Sequence, residues 1–189
     1  SYLSSKLRPA KKWHELDDDE IVNICLDANA TKNYSKLNQL INTCVACSVE
    51  QLHFLMFEMI YGGCDDVIKI FGDSFPETIA KFTDNHFISL HSECVWSYNN
   101  VRGMFRIIHE IYLKYNITGN SIYANDRIFM LLLKIYATGE YGIYINLLQK
   151  RTYHYNPSFY NSAIYCFYSK ARLQVFEYYP HWRCLFDLI

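Results

Sequence analysis

Four side chains carry a spacing that a metal ion could use. Cys44-x-x-Cys47 is a close thiol pair, with His53 and Cys64 downstream. Zinc takes thiolate and imidazole ligands, and a structural zinc site ordinarily brings two close pairs. The second pair is missing here, and thiols buried in helical cores account for the same residues. A looser set is His86, His91 and Cys94, in which His91 and Cys94 share a helix face at i, i+3. The balance favours no metal and no cofactor. Seven cysteines and seven histidines leave room for a Cys/His nucleophile pair. No local sequence has a cysteine-protease signature, and there is no phosphate-binding glycine loop, Gly-x-Ser-x-Gly elbow or His-Glu-x-x-His. The chain therefore reads as a binding protein and not as an enzyme.

Charge supplies the remaining candidates. Asp17, Asp18, Asp19 and Glu20 lack the spacing of a calcium loop, and helix capping explains them better. The net charge of −1 hides an asymmetry: residues 17–100 hold four Lys/Arg against thirteen Asp/Glu, and residues 101–189 hold ten against five. In the acidic half, Asp65, Asp66 and Asp73 form a face suited to a basic protein partner. In the basic half, Lys150, Arg151, Lys170, Arg172 and Arg183 stand among Tyr153, His154, Tyr155, Phe159, Tyr160, Tyr168 and Trp182. Cations attract phosphate and aromatic faces stack on bases, so this stretch is the candidate for RNA. Packed aromatic helices with solvated Lys and Arg explain it as well.

These residues must be positioned by helices. Caps and stops recur at helical spacing. Asp17-Asp18-Asp19 offers a helix start, followed by Ile21, Ile24, Cys25 and Ala28. Asn33 and Ser35 open the next helix, whose apolar stripe is Leu37, Leu40, Ile41, Cys44 and Val45. Ser48 to Gln51 reads as a capping box, and Gly62-Gly63 ends the helix that it opens. A short helix carries Val67, Ile68 and Phe71 to a stop at Gly72. Ser74-Phe75-Pro76-Glu77 is a further capping box. Asn85 starts the helix of Phe87, Leu90 and Cys94, and an amphipathic helix runs from Met104 to Tyr112. Residues 116–125 read as a polar loop, and Asn125 or Asp126 caps the apolar helix after it. No strand pattern is convincing.

The helices pair off, at about 21–47, 49–71, 86–116, 127–153 and 158–179. The fold expected is all-α, built of stacked antiparallel helical hairpins, either a short α-solenoid or an irregular bundle. Residues 1–16 are a basic N-terminal arm, and residues 17–189 form one helical domain. No apolar run reaches the roughly 18 to 20 residues of a membrane span. The first residues lack the apolar core of a signal peptide. With an odd, irregular set of cysteines, this predicts an intracellular chain in a reducing compartment, most simply the cytoplasm.

Two segments resemble helical-hairpin repeat families. Gln51-Leu52-His53-Phe54, with the run from Tyr61-Gly62-Gly63 through Asp65-Asp66-Val67-Ile68-Lys69 to Phe71, resembles one ankyrin unit over 51–71. The flanking Thr-Pro is absent, since Glu50-Gln51 stands there, and no second copy matches. That resemblance implies protein binding. The pattern over 127–179, with Ile135-Tyr136-Ala137-Thr138-Gly139, looks like pentatricopeptide repeats, which implies single-stranded RNA binding. The regular spacing of that family is missing, so no base-reading position carries over. The richness in Tyr, Asn, Ile and Lys also resembles proteins of AT-rich genomes, large cytoplasmic DNA viruses among them, and implies a host-interaction role. The expectation is therefore a protein–protein interaction domain, such as an adaptor, a scaffold or a host-interaction module. An RNA-binding helical repeat is the alternative, and a Cys/His enzyme the third choice.

Overall fold

The computed structural model describes residues 10–96, 101–115 and 121–136. Every regular element among them is helical, with helix packed on helix, so the fold class is all-α. The helices are α1 (Asp18–Thr31), α2 (Ser35–Asn42), α3 (Val49–Tyr61), α4 (Asp65–Ser74), α5 (Pro76–Ile79), α6 (Asp84–Trp96), α7 (Val101–Tyr115) and α8 (Asp126–Tyr136). Two 3-10 turns, Trp13–Glu15 and Ser121–Ala124, complete the set. The described residues divide into two compact units. One holds residues 10–82, 93–96 and 101–115, and the other holds 83–92 and 121–136.

In the first unit, α1 opens on a closed capping box. The Asp17 carboxylate accepts from the Glu20 N–H at 2.8 Å, and Glu20 Oε1 accepts from the Asp17 N–H at 3.2 Å. Two of the free donors at the helix start are satisfied reciprocally. The helix ends at Lys32, which takes the left-handed conformation with φ 55°. In α2 the apolar stripe stops at Ile41, short of the predicted Cys44 and Val45. Thr43 explains the stop: its hydroxyl donates back to the Leu40 carbonyl at 2.6 Å, and a side chain that competes for backbone groups ends helices. Val45 is 90% exposed.

Ser48 caps α3 by accepting from the Gln51 N–H at 3.1 Å. The predicted box does not close, because the Gln51 amide is engaged elsewhere. Its Nε2 donates to Asp18 Oδ1 at 2.9 Å and its Oε1 accepts from the Trp13 indole at 3.2 Å. At the other end, Gly63 has φ 69°. The Cys64 N–H reaches back to the Met59 carbonyl at 2.8 Å, and the Gly63 N–H to the Ile60 carbonyl at 3.1 Å. This is a Schellman turn, in which the left-handed residue is glycine because a Cβ would be strained there. Leu52, Leu55, Met56, Met59 and Ile60 are completely buried along α3, which packs on α1, α4 and α5.

The predicted stop at Gly72 is not where α4 ends. The helix continues to Ser74, and the glycine serves a close approach instead. A Cβ at Gly72 would stand 3.2 Å from Cδ1 of Ile111 on α7, and the Tyr115 hydroxyl donates to the Gly72 carbonyl at 3.2 Å. Pro76 occupies the first turn of α5 as expected, but Ser74 supplies no cap, since Phe75 holds the capping position without a side-chain bond.

In the second unit, α6 begins at Asp84, one residue before the predicted Asn85. His86 Nδ1 accepts from the Thr83 N–H at 3.0 Å, filling the place that Glu or Gln takes in a capping box. The predicted polar loop contains the turn Ser121–Ala124, whose Ile122 and Tyr123 are buried. Asn125 caps α8, its Oδ1 accepting from the Ile128 N–H at 3.1 Å. Ile128, Phe129, Leu132, Ile135 and Tyr136 form the buried face of that helix.

Predicted hairpins 21–47 and 49–71 correspond to α1 with α2 and α3 with α4, each pair joined by a short turn and in contact. Helices α6 and α7 fall in the third span. The second helix of the fourth pair and all of the fifth lie outside the described residues. No described helix is long and apolar enough to cross a membrane.

Candidate functional site

The four metal candidates fall in three places. Cys44 and Cys47 lie in the connection between α2 and α3, the first half-buried and the second buried. His53 sits on α3 with its ring 6.4 Å from that of Phe57 and 6.1 Å from that of Phe82. Cys64 is buried in the glycine turn after α3, its thiol 3.7 Å from the Gly62 carbonyl. His86 and His91 are likewise used locally, His86 in the Thr83 cap and His91 through Nδ1, 2.7 Å from the Phe87 carbonyl. Among the described residues no three His, Cys, Asp or Glu side chains come close enough to hold a metal ion.

The described thiols are also poorly suited to nucleophilic work. Burial, with the neighbouring Cys64 behind it, pushes the Cys25 thiol up to about 12. Burial, then Cys44 and Asp18, push Cys47 to about 12 as well. Cys44, Cys64 and Cys94 shift upward too, each chiefly through burial. The thiolate is the reactive species, so these groups stand protonated and slow near neutrality.

The three predicted partner-binding aspartates do not form one cluster. Asp65 and Asp66 open α4, and Asp73 is exposed near its other end, about 12 Å away along the axis at about 1.5 Å per residue. Asp66 belongs to a small polar group: its Oδ2 accepts from the Tyr34 hydroxyl at 2.8 Å and lies 4.0 Å from Lys32 Nζ. Desolvation, then the bond to Asp66 and its charge, push the Tyr34 phenol up to about 12. Asp65 is half-buried, and burial followed by the charge of Asp66 raises its carboxyl against the opposing pull of Lys69 and Lys32.

Beside this group lies a feature that the sequence reading passed over. Tyr61 is 71% exposed at the last position of α3. Leu26 of α1, 39% exposed, reaches the adjacent Gly62, where a Cβ would meet its Cδ2 at 3.1 Å. An aromatic ring, an aliphatic side chain and two carboxylates thus surround one glycine turn. The available signal was positional: Tyr61 falls outside the stripe of Leu52, Leu55, Met56, Met59 and Ile60, so helical periodicity already turns it from the core.

Two surface clefts flank α2. One, of about 540 Å³, is lined by Ile41, Cys44, Val45 and Cys47 on one side and by Phe75, Pro76, Thr78 and Lys81 on the other. The other, of about 610 Å³, lies between α1 and α2 and is lined by Ile24, Asp27, Thr31, Lys36 and Gln39 among others.

The segment read as a basic arm is anchored at Trp13, which is 1% exposed. The Trp13 N–H donates to Thr43 Oγ1 at 2.9 Å, its indole donates to Gln51, and its ring lies 5.5 Å from that of Phe75. The neighbouring His14 Nε2 accepts from the Val45 N–H at 3.0 Å. The nucleic-acid candidates Lys150, Arg151, Tyr153, Tyr155, Tyr160, Lys170, Arg172 and Arg183 lie outside the described residues. Comparison of the chain with protein-family models, curated proteins and solved structures gives no match.

Proposed function

We propose that this chain is a protein-interaction module whose contact surface is the glycine turn between α3 and α4. The observation that carries the reading is Tyr61, a large ring held 71% exposed on a rigid Schellman turn. Exposed aromatics fixed in place are the side chains that anchor protein interfaces, because they lose little entropy and bury much area on contact. Leu26 extends the apolar contact, and Asp65 and Asp66 add negative charge at its edge. The partner that fits is a protein segment pairing an apolar side chain with Lys or Arg. Lys32 and Tyr34 hold Asp66 through direct contacts, whereas Asp65 feels Lys69 and Lys32 only through their charge, so Asp65 is the carboxylate better placed to steer a basic partner.

The test is capture from a nuclease-treated lysate with the wild-type chain, Tyr61→Ala and Asp65→Asn side by side. The reading expects a partner that survives nuclease, is lost with Tyr61→Ala by about tenfold or more in affinity, and binds more weakly to Asp65→Asn as a rim charge would. Partners that bind both variants equally would remove this surface from consideration. Partners that vanish with nuclease, and whose binding falls steeply as salt rises, would favour RNA binding by the basic C-terminal half.

A further inference from the structure

We propose that Cys44 and Cys47 form a redox modification site, closing an intraloop disulfide across the bend at Val45 when the protein meets a low-molecular-weight disulfide. The two thiols stand three residues apart in a non-helical connection, and both line the 540 Å³ surface cleft. The chain bends at Val45 between them, and Val45 and Ala46 are both exposed. The side chains of the segment that must adjust are thus free of core packing, and the long-range tie there is the Val45 N–H donated to His14 Nε2 at 3.0 Å. A disulfide needs Cα atoms within roughly 7 Å; the two cysteines line one cleft, and the charge of Cys44 acts on Cys47. The loop is pinned on either side of the bend, by the Cys44 N–H on the Ile41 carbonyl at 2.9 Å and by Thr78 Oγ1 on the Cys47 carbonyl at 2.8 Å. The remaining described thiols, on Cys25, Cys64 and Cys94, are completely buried, which leaves half-buried Cys44, with the buried Cys47 next to it, as the point of entry for an oxidant among them.

The chemistry balances with glutathione disulfide as the oxidant. The Cys44 thiolate, the more exposed of the two, attacks one sulfur of the oxidant and expels one glutathione thiolate, giving a mixed disulfide. Cys47 loses its proton to solvent and attacks the Cys44 sulfur, expelling the second glutathione. Two protein thiols are oxidised and one glutathione disulfide is reduced to two thiols. Burial holds both cysteines protonated, so closure is slow at neutral pH and quickens as pH rises. Closure also removes the Cys47 S–H donor, which lies 3.6 Å from Gln51 Oε1, the same oxygen that accepts from the Trp13 indole. The site rests on the α2–α3 loop and is independent of the interaction surface at Tyr61.

The experiment uses the full chain in a glutathione redox buffer, quenched with acid and mapped by peptide mass spectrometry. The expected product is a peptide spanning Cys44 and Cys47 that has lost two hydrogens. With about 0.1 mM reduced glutathione present it should outweigh the Cys44–glutathione adduct by about tenfold, because short linkers give millimolar effective concentrations. Cys47→Ser should stop at the adduct on Cys44, and Cys44→Ser should leave Cys47 unmodified over the same time. The proposal is overturned if wild type accumulates the adduct with Cys47 still free, or if either thiol pairs first with another cysteine.

Discussion

Replacing Trp13 by alanine tests whether the residues before α1 belong to the folded unit. The side chain is 1% exposed, and a Trp buries about 150–250 Å². At about 25 cal/mol/Å² that is worth about 4–6 kcal/mol, an upper value because the unfolded chain already hides part of the ring. Truncation of buried Phe or Trp to Ala costs about 3–5 kcal/mol, cavity included. Trp13→Ala should therefore lower the unfolding free energy by about 3–5 kcal/mol, read from helical circular dichroism in a urea titration. Trp13→Phe keeps most of the packing against Phe75 but loses the indole bond to Gln51, so about 1–2 kcal/mol is expected. A change below about 0.5 kcal/mol in Trp13→Ala is the range of ordinary surface substitutions. That result would put Trp13 on a solvated arm and refute the docking described above.

Three further outcomes follow from single side chains. His91 is fully buried, and desolvation holds its imidazole down at about 4, partly opposed by the bond to the Phe87 carbonyl. Below about 6.5 the unfolded state takes a proton that the folded state refuses. The stability from this residue is therefore complete above about 6.5 and falls as pH drops towards 4, by about 3 kcal/mol in total; the fall should be absent in His91→Gln, measured by denaturant unfolding at stepped pH. Lys32→Gly should raise stability by up to about 1 kcal/mol, because it relieves a left-handed residue and gives up only exposed contacts, the pair with Asp66 and the bond donated to Asn29 Oδ1; a loss on thermal melting would show that the lysine side chain matters more than its backbone. Gly72→Leu should destabilise by about 2 kcal/mol or more by driving a side chain into Ile111, and a melting point equal to wild type would show that α7 yields freely.

Elements were legible where the determining contacts are local. The helix start at Asp17, the Ser48 cap and the Gly62-Gly63 stop each rest on bonds between residues three to five apart, so the residue types are enough to read them. Errors arose where a distant partner decides. Gly72 looked like a terminator because a helix-internal glycine is costly by itself, and its reason, Ile111, lies on another helix. Trp13 looked like part of an arm because nothing near it is periodic; its partners Thr43 and Gln51 stand 30 and 38 residues on. The α2 stripe was extended to Cys44 and Val45 because both are apolar, whereas the Thr43 hydroxyl ends the helix first. Asp65, Asp66 and Asp73 read as one acidic face because charge is counted along the sequence, whereas the helix sets Asp73 at its far end and Tyr34 and Lys32, from distant positions, claim Asp66.

Gln51 ties three segments together at one end of α3, and Tyr61 stands at the other end. Its side chain joins the start of α1 through Asp18, the Trp13 segment through the indole and the thiol loop through Cys47, all at the first turn of α3. Tyr61 closes the same helix ten residues later, about 15 Å along the axis at about 1.5 Å per residue. Between the two ends α3 is completely buried at Leu52, Leu55, Met56, Met59 and Ile60, so close packing holds it as one stiff element. The turn carrying Tyr61 is fixed by its own backbone bonds, from Cys64 to Met59 and from Gly63 to Ile60. Interfaces favour such pre-organised anchors, since a ring that is already ordered costs less to bind. The same rigidity makes loss of partner binding on Tyr61→Ala a direct report on the ring, and not on the fold beneath it.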